Sequence, residues 1–334
     1  MPVLDASRDP RRQILINAVA AAVMAPSSHN SQPWRFRLVG DTLELLADPR
    51  RHLTVIDPDR RQLVQSCGCA LFNAQIAVRA MGHEDVVTVM PDPEQPDLLA
   101  TIQVGASVIT TDAERALMRA IPLRRTNRRP FASRPVALSD TDELFTAARR
   151  PGVWMGRLDP DQKRRVGELV LRADRAQYRD PAFRAELGRW LAATGSRRTD
   201  GIPFAEKEYG SVMPFSVVRA LRSPGLGSEF GKLEQERVEG SPVVTVIGTA
   251  GDSPGHWLAA GQALEALLLG ATTRGLAAAY LNQALEIPIL RRDVTNIIDR
   301  GEHPQMILRL GYPVEGVGHP APRRDLEDVL LIVD

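Results

Sequence analysis

Twice along its 334 residues the chain runs through the same order of predicted elements, and that repetition narrows the folds open to it. In the first pass Ile14 to Met24, rich in alanine and valine, predicts a helix that stops at Ala25 and Pro26, because proline disfavours helical geometry in the residue before it. WRFRLV (34–39) and TLELL (42–46) alternate about Gly40 and Asp41 and predict a hairpin. Arg60 to Met81 carries apolar residues at helical spacing and closes on Gly82, and two extended runs follow, Asp85 to Met90 and Leu99 to Val108. In the second pass Leu138 to Arg149 predicts a helix opened by Ser139 and stopped by Pro151, and WMGRL (154–158) comes after it. PVVTVIG (242–248) predicts a buried strand, His256 to Arg274 an apolar helix ending at Gly275, and Leu276 to Leu281 and Gln305 to Tyr312 extended runs. Two related α+β modules, 1–111 and 112–334, give this order; so do two unrelated α+β stretches, and local likeness alone leaves both open.

The symmetry breaks between about 159 and 240. Arg-rich amphipathic sequence (KRRVGELVLRADRAQYRD, then PAFRAELGRWLA) leads into a Gly-, Pro- and Ser-rich stretch holding Phe204, Tyr209, Met213 and Phe215. A long irregular segment that keeps aromatics predicts a lid inserted in the second module.

Composition removes several classes of function. The 42 basic and 41 acidic residues leave a formal charge of +1, against a protein that grips a nucleic-acid backbone. Cys67 and Cys69 have no Cys/His pair beside them, so the expectation is two reduced, buried thiols and no metal. The most apolar run, Leu258 to Leu281, is broken by Glu265 and Arg274 and falls short of a membrane span; the charged N-terminus is unlike a signal peptide. A soluble, cytoplasmic protein with a small-molecule substrate is expected, with neither nucleic acid nor membrane as partner.

Protein-based nucleophile and metal chemistries find no motif. The histidines are dispersed, and neither a G-x-S-x-G elbow nor a phosphate loop is present. The polar row from Ser27 to Pro33, which includes Ser28, His29, Asn30, Ser31 and Gln32, offers hydroxyls, an imidazole and two amides suited to a neutral polyfunctional ligand. A helix-terminating surface loop would have the same composition. In IPLRRTNRRPF (121–131), Arg124, Arg125 and Arg128 with Thr126 among them suit a phosphate, though a solvated charged face reads the same way. Arg323 and Arg324 add a second cationic pair near the C-terminus.

Taken together, the APSSHNSQPWRF row after an alanine-rich helix, RRTNRRPF, GCALFNAQIAVRAMG (68–82), the apolar helix 258–275, and LRLGYP (308–313) leading to PAPRR (320–324) resemble the flavin-dependent nitroreductase superfamily. The likeness is greatest to its Acg-type branch of NAD(P)H nitroreductases, in which two modules are fused in one polypeptide. The resemblance implies an α+β fold, mixed or antiparallel sheets with helices packed on them, forming a single-chain pseudo-dimer that is a monomer or a homodimer. It implies FMN as cofactor and NAD(P)H as electron donor, with nitroaromatics, quinones or similar flat acceptors reduced and no protein group named as catalytic. Arg124, Arg125, Thr126 and Arg128, with Arg323 and Arg324, would hold the phosphate. Ser27, Ser28, His29, Asn30, Ser31 and Gln32 would face the ribityl chain and ring. PGVW (151–154) replaces the polar row in the second module, and Arg8, Asp9, Pro10, Arg11 and Arg12 stand for the arginine segment in the first. One FMN per chain is therefore expected, and a lid that closed the site permanently would make the protein a flavin store in place of an enzyme.

Overall fold

A computed structural model describes residues 9–192, 197–203, 226–314 and 320–333. Helix α1 (Pro10–Ala22) opens on Asp9, whose carboxylate accepts from the Arg11 amide, and the chain then enters a hairpin of β1 (Trp34–Val39) and β2 (Thr42–Ala47). Along β1 the side chains alternate: Trp34, Phe36 and Leu38 are buried, and their neighbours face outward. Helix α2 (Arg61–Ala80) follows, then β3 (His83–Val89) and β4 (Leu98–Ser107). Next come α3 (Asp112–Ala120), α4 (Leu138–Ala147) and β5 (Val153–Arg157). Ser139 lies inside the first turn of α4 and does not cap it; Ala137 takes the cap position and contributes no side-chain bond.

Helices α5 (Pro160–Arg179) and α6 (Pro181–Trp190) come next, followed by the short parallel pair β6 (Leu191–Ala192) and β7 (Ile202–Pro203), and then α7 (Leu226–Glu239). Phe204, Tyr209, Met213 and Phe215 lie outside the described residues. The chain continues through β8 (Val243–Thr249), α8 (Pro254–Thr273), β9 (Ala277–Tyr280), α9 (Pro288–Ile298), β10 (His303–Gly311), α10 (Leu326–Val329) and β11 (Leu330–Val333).

Two sheets result. One has the order β11-β1-β2-β4-β3 and is mixed, since β11 lies parallel to β1; the other is antiparallel, β5-β8-β10-β9. The run β1-β2-β4-β3 recurs as β5-β8-β10-β9 with the same antiparallel pairings, and each sheet has a long helix between its second and third strands in sequence. Every residue of β8 is buried because helices cover both faces of its sheet. One face shares the main core with α2 and α8; the other meets α5, α7 and α9 through Val166, Val170, Val238 and Val294.

At the centre α2 and α8 cross backbone to backbone. A Cβ on Gly68 would sit 2.3 Å from the Leu258 carbonyl oxygen, and one on Gly261 would sit 2.0 Å from that of Gln65. The contacts are reciprocal, because each glycine meets the carbonyl one turn before the other. Only glycine lets two helices approach this closely.

Candidate functional site

The polar loop after α1 is built from unusual backbone. The helix ends at Ala22, earlier than the expected stop at Ala25 and Pro26, a 3₁₀ turn spans Ser28–Asn30, and His29, Asn30 and Gln32 adopt left-handed φ values of 52°, 52° and 51°. Such residues cost about 1 kcal/mol or more apiece and persist only where their surroundings fix them. Here the Ser27 hydroxyl accepts from the Gln32 amide at 2.9 Å, and Asn30 Nδ2 donates to the carbonyls of Gly201 (3.0 Å) and Pro322 (3.1 Å). Gln32 is fully buried: its Nε2 donates to the Thr199 carbonyl, and its Oε1 accepts from the Arg324 amide, each at 2.8 Å.

Two other segments reach the same place. After α3 the chain crosses to β9, where the Asn127 amide donates to the Ala278 carbonyl, and this fixes Arg124, Arg125, Thr126 and Arg128 beside that strand. At the C-terminus the parallel pairing of β11 with β1 draws residues 320–324 past the polar loop. Arg323 there donates to Asn30 Oδ1 at 3.1 Å and to the Met24 carbonyl at 3.1 Å.

These segments border one cleft of about 370 Å³, which also takes walls from α5, α6 and α7. Ser27, Ser28, His29, Asn30, Arg124, Arg125, Thr126, Arg128 and Arg323 line it. Ser31, Gln32 and Arg324 do not; they lie behind the wall and are spent on the protein itself. The Ser31 carbonyl accepts from Arg51, and Arg324 donates to the carbonyls of Gln32, Trp34 and Asp328. Their place in the structure is to hold the loop that carries their neighbours.

The cleft has a cationic end. Arg323 is pushed down to about 9 by burial and then by the nearby Arg124, while the carboxylate of Glu265 opposes the shift. Arg125 is lowered by burial and by Arg124. Cations that depress one another in this way gain from an anion placed among them. Burial, helped by Arg128, pulls the His29 imidazole down to about 4, so it is neutral at pH 7, and its Nδ1 has no partner among the described residues.

Comparison with known proteins turns this geometry into a family assignment. Residues 123–312, more than half of the chain, match the model of the nitroreductase family. The chain belongs to the nitroreductase family. Among its relatives is "Putative NAD(P)H nitroreductase Rv3131" of Mycobacterium tuberculosis, 33% identical over 324 residues and covering 96% of this chain and 92% of the relative. Another from that organism, "Putative NAD(P)H nitroreductase acg", is 30% identical over 330 residues, with 96% of both chains covered. A nitroreductase-like protein from Bacillus cereus of known structure aligns with 69% of this chain and all of its own, at a TM-score of 0.41 and 16% identity.

This nitroreductase brings further residues to the cleft that its sequence did not mark. Gln62 from α2 accepts from the Ser28 hydroxyl at 2.6 Å and donates to Glu286, which also accepts from Gln177 of α5. Tyr280 from β9 and Arg309 from β10 line the wall, with the Tyr280 hydroxyl and two Arg309 nitrogens unpartnered among the described residues. Their only signal was a polar residue at the end of, or within, an apolar run (AAAY, MILRLG), which does not say what the side chain faces. Among the described residues no helix is long and apolar enough to cross a membrane.

Proposed function

We propose that this nitroreductase binds one FMN per chain in the cleft, takes hydride from NAD(P)H, and reduces nitroaromatic, quinone or similar flat acceptors. The observation that carries the reading is the meeting of Arg124, Arg125, Arg128 and Arg323 in one wall with the uncharged row Ser27 to Asn30. The first group suits a phosphate and the second suits a ribityl chain and ring edge. The residues fit the cofactor on two counts. The volume falls within the range of about 300–1,000 Å³ usual for small-molecule sites. Among the described residues, the buried polar atoms His29 Nδ1, Arg323 Nε and the Tyr280 hydroxyl have no partner.

When bound, FMN supplies the hydride and electron chemistry; the chain supplies position and charge. Arg125 and Arg323 neutralise the phosphate, and Arg128 adds charge at the same end. Neutral His29 and the Asn30 turn present hydrogen-bonding groups without placing a full charge beside the ring. The walls from α5, α6 and α7 limit water.

We further read the chain as two fused modules, 1–111 and 112–334, whose internal interface reproduces a dimer. The recurring strand order and the reciprocal glycine contacts of α2 and α8 support this. The two halves differ where a second site would lie. Phe72 stands as far before Gly82 as Glu265 stands before Gly275, and the Arg150 guanidinium lies 4.8 Å from the Phe72 ring centre. An apolar ring with a stacked cation fills that position, which supports one flavin per chain.

A second reading, flavin storage, is favoured by how firmly the inserted helices are fastened. The buried carboxylate of Glu186 on α6 accepts from the amides of Val55 and Ile56, and Phe183 packs on Leu53 and Ile56. Anaerobic mixing of the FMN-loaded protein with NADH or NADPH separates the two. The expected result is bleaching of the flavin band by one of the nucleotides within seconds; an unbleached band with both would favour storage.

A further inference from the structure

Glu265 is the anomaly of the sequence that the proposed function leaves unused. It interrupts the apolar helix α8 and is fully buried, and among the described residues neither of its oxygens has a hydrogen-bond partner. Fold alone does not ask for a carboxyl here, since the corresponding turn of α2 carries Phe72. A buried carboxylate without partners is heavily penalised, so something in its surroundings must answer for it.

Two neighbours do. Glu265 Oε1 lies 3.7 Å from Nε of Arg124, close enough for attraction and too far for a hydrogen bond, and that Nε is itself unpartnered. Asn73 of α2 is also within reach of the carboxyl. Its Nδ2 donates to the Ala21 carbonyl with one N–H and keeps a second, and a hydrogen bond from Asn73 to the carboxyl favours the ionised form.

We propose that Glu265 is a proton-linked positioning residue for the anion-binding arginines. Protonated, it leaves Arg124 to the phosphate; ionised, it competes with the phosphate for Arg124, so phosphate binding takes up a proton. The proposal rests on the phosphate-site reading above and adds the coupling. The other ionisable groups facing Glu265 are Arg124 and Arg323, Cys69 on α2 and Tyr280 on β9. Burial raises both the Cys69 thiol and the Tyr280 hydroxyl, which keeps them protonated at neutral pH. Glu265 itself is held up at about 7 by burial, with Arg124 pulling in the other direction.

The test is a flavin-fluorescence titration of the wild type and Glu265→Gln with FMN and with riboflavin from pH 6.5 to 8.5. Ionisation of the phosphate affects both proteins alike. For each pKa unit by which bound phosphate raises Glu265, the wild-type Kd for FMN should rise up to about tenfold across this range relative to Glu265→Gln. Riboflavin should show no such difference. Equal FMN slopes in the two proteins would overturn the coupling while leaving the flavin site intact. Failure of FMN to bind at any pH would overturn both. Should the variant not fold, calorimetry of the wild type at pH 7.5 in buffers of different ionisation enthalpy reads the proton directly: uptake supports the coupling, and zero uptake refutes it.

Discussion

Arg323→Ala should weaken FMN binding about a hundredfold, the loss of about 3 kcal/mol expected when one charged partner of an enclosed ion pair is removed. Arg125→Ala should cost about tenfold, because this guanidinium is less enclosed and, among the described residues, bonds to the carbonyls of Pro122 and Arg124. Riboflavin has no phosphate, so Arg125→Ala should leave its affinity nearly unchanged. Arg323→Ala should reduce it modestly, because Arg323 also holds Asn30 Oδ1. Arg324 makes the contrast. It lies behind the wall and braces the carbonyls of Gln32 and Trp34, so Arg324→Ala should weaken FMN and riboflavin alike and lower the melting temperature. Fluorescence titrations with both flavins decide the matter; a uniform loss in all three variants would contradict the roles assigned to Arg125 and Arg323.

Gly261→Ala should be the most damaging small substitution in the fold. Its Cβ would fall 2.0 Å from the Gln65 carbonyl oxygen and 2.9 Å from the Gly68 Cα, both backbone atoms that cannot swing aside. Relief requires the two helices to separate, and the expected cost is about 3 kcal/mol or more, a drop of roughly 4 °C or more in Tm. Gly255→Ala, on the same helix, is the control: no atom of the described residues lies within 4 Å of the added carbon, so the change should be neutral or slightly stabilising. The cleft takes walls from α2 and α8 as well as from the loops, through Gln62, Cys69 and Leu264, so Gly261→Ala should lose flavin affinity along with stability. A thermal melt matching the wild type would show that the helices do not meet as described.

Much of this molecule could be read before folding was considered. The hairpin about Gly40, the helices closed by Gly82 and Gly275, and the buried strand of PVVTVIG were legible because turn chemistry and periodicity are local. The polar row and the arginine segment were legible as groups needing partners. Which partners they find was not. Gln32 is as polar as Asn30, yet Gln32 turns inward to Thr199 and Arg324 while Asn30 stays on the cleft. That choice depends on residues more than a hundred positions away. The return of β11 to pair with β1, which carries Arg323 to the polar loop, also has no local signal beyond the short run LLIV. Glu265 lies between these cases: its place in an apolar helix marked it as odd, and only the positions of Arg124 and Asn73 say why.

The most direct test of the central claim is the amount of flavin the chain holds. Purified protein saturated with FMN and freed of excess by gel filtration should carry one FMN per chain, read from the flavin absorbance against protein concentration. A ratio near two would show that the position of Phe72 and Arg150 is a working second site, and a ratio near zero would contradict the flavin site altogether.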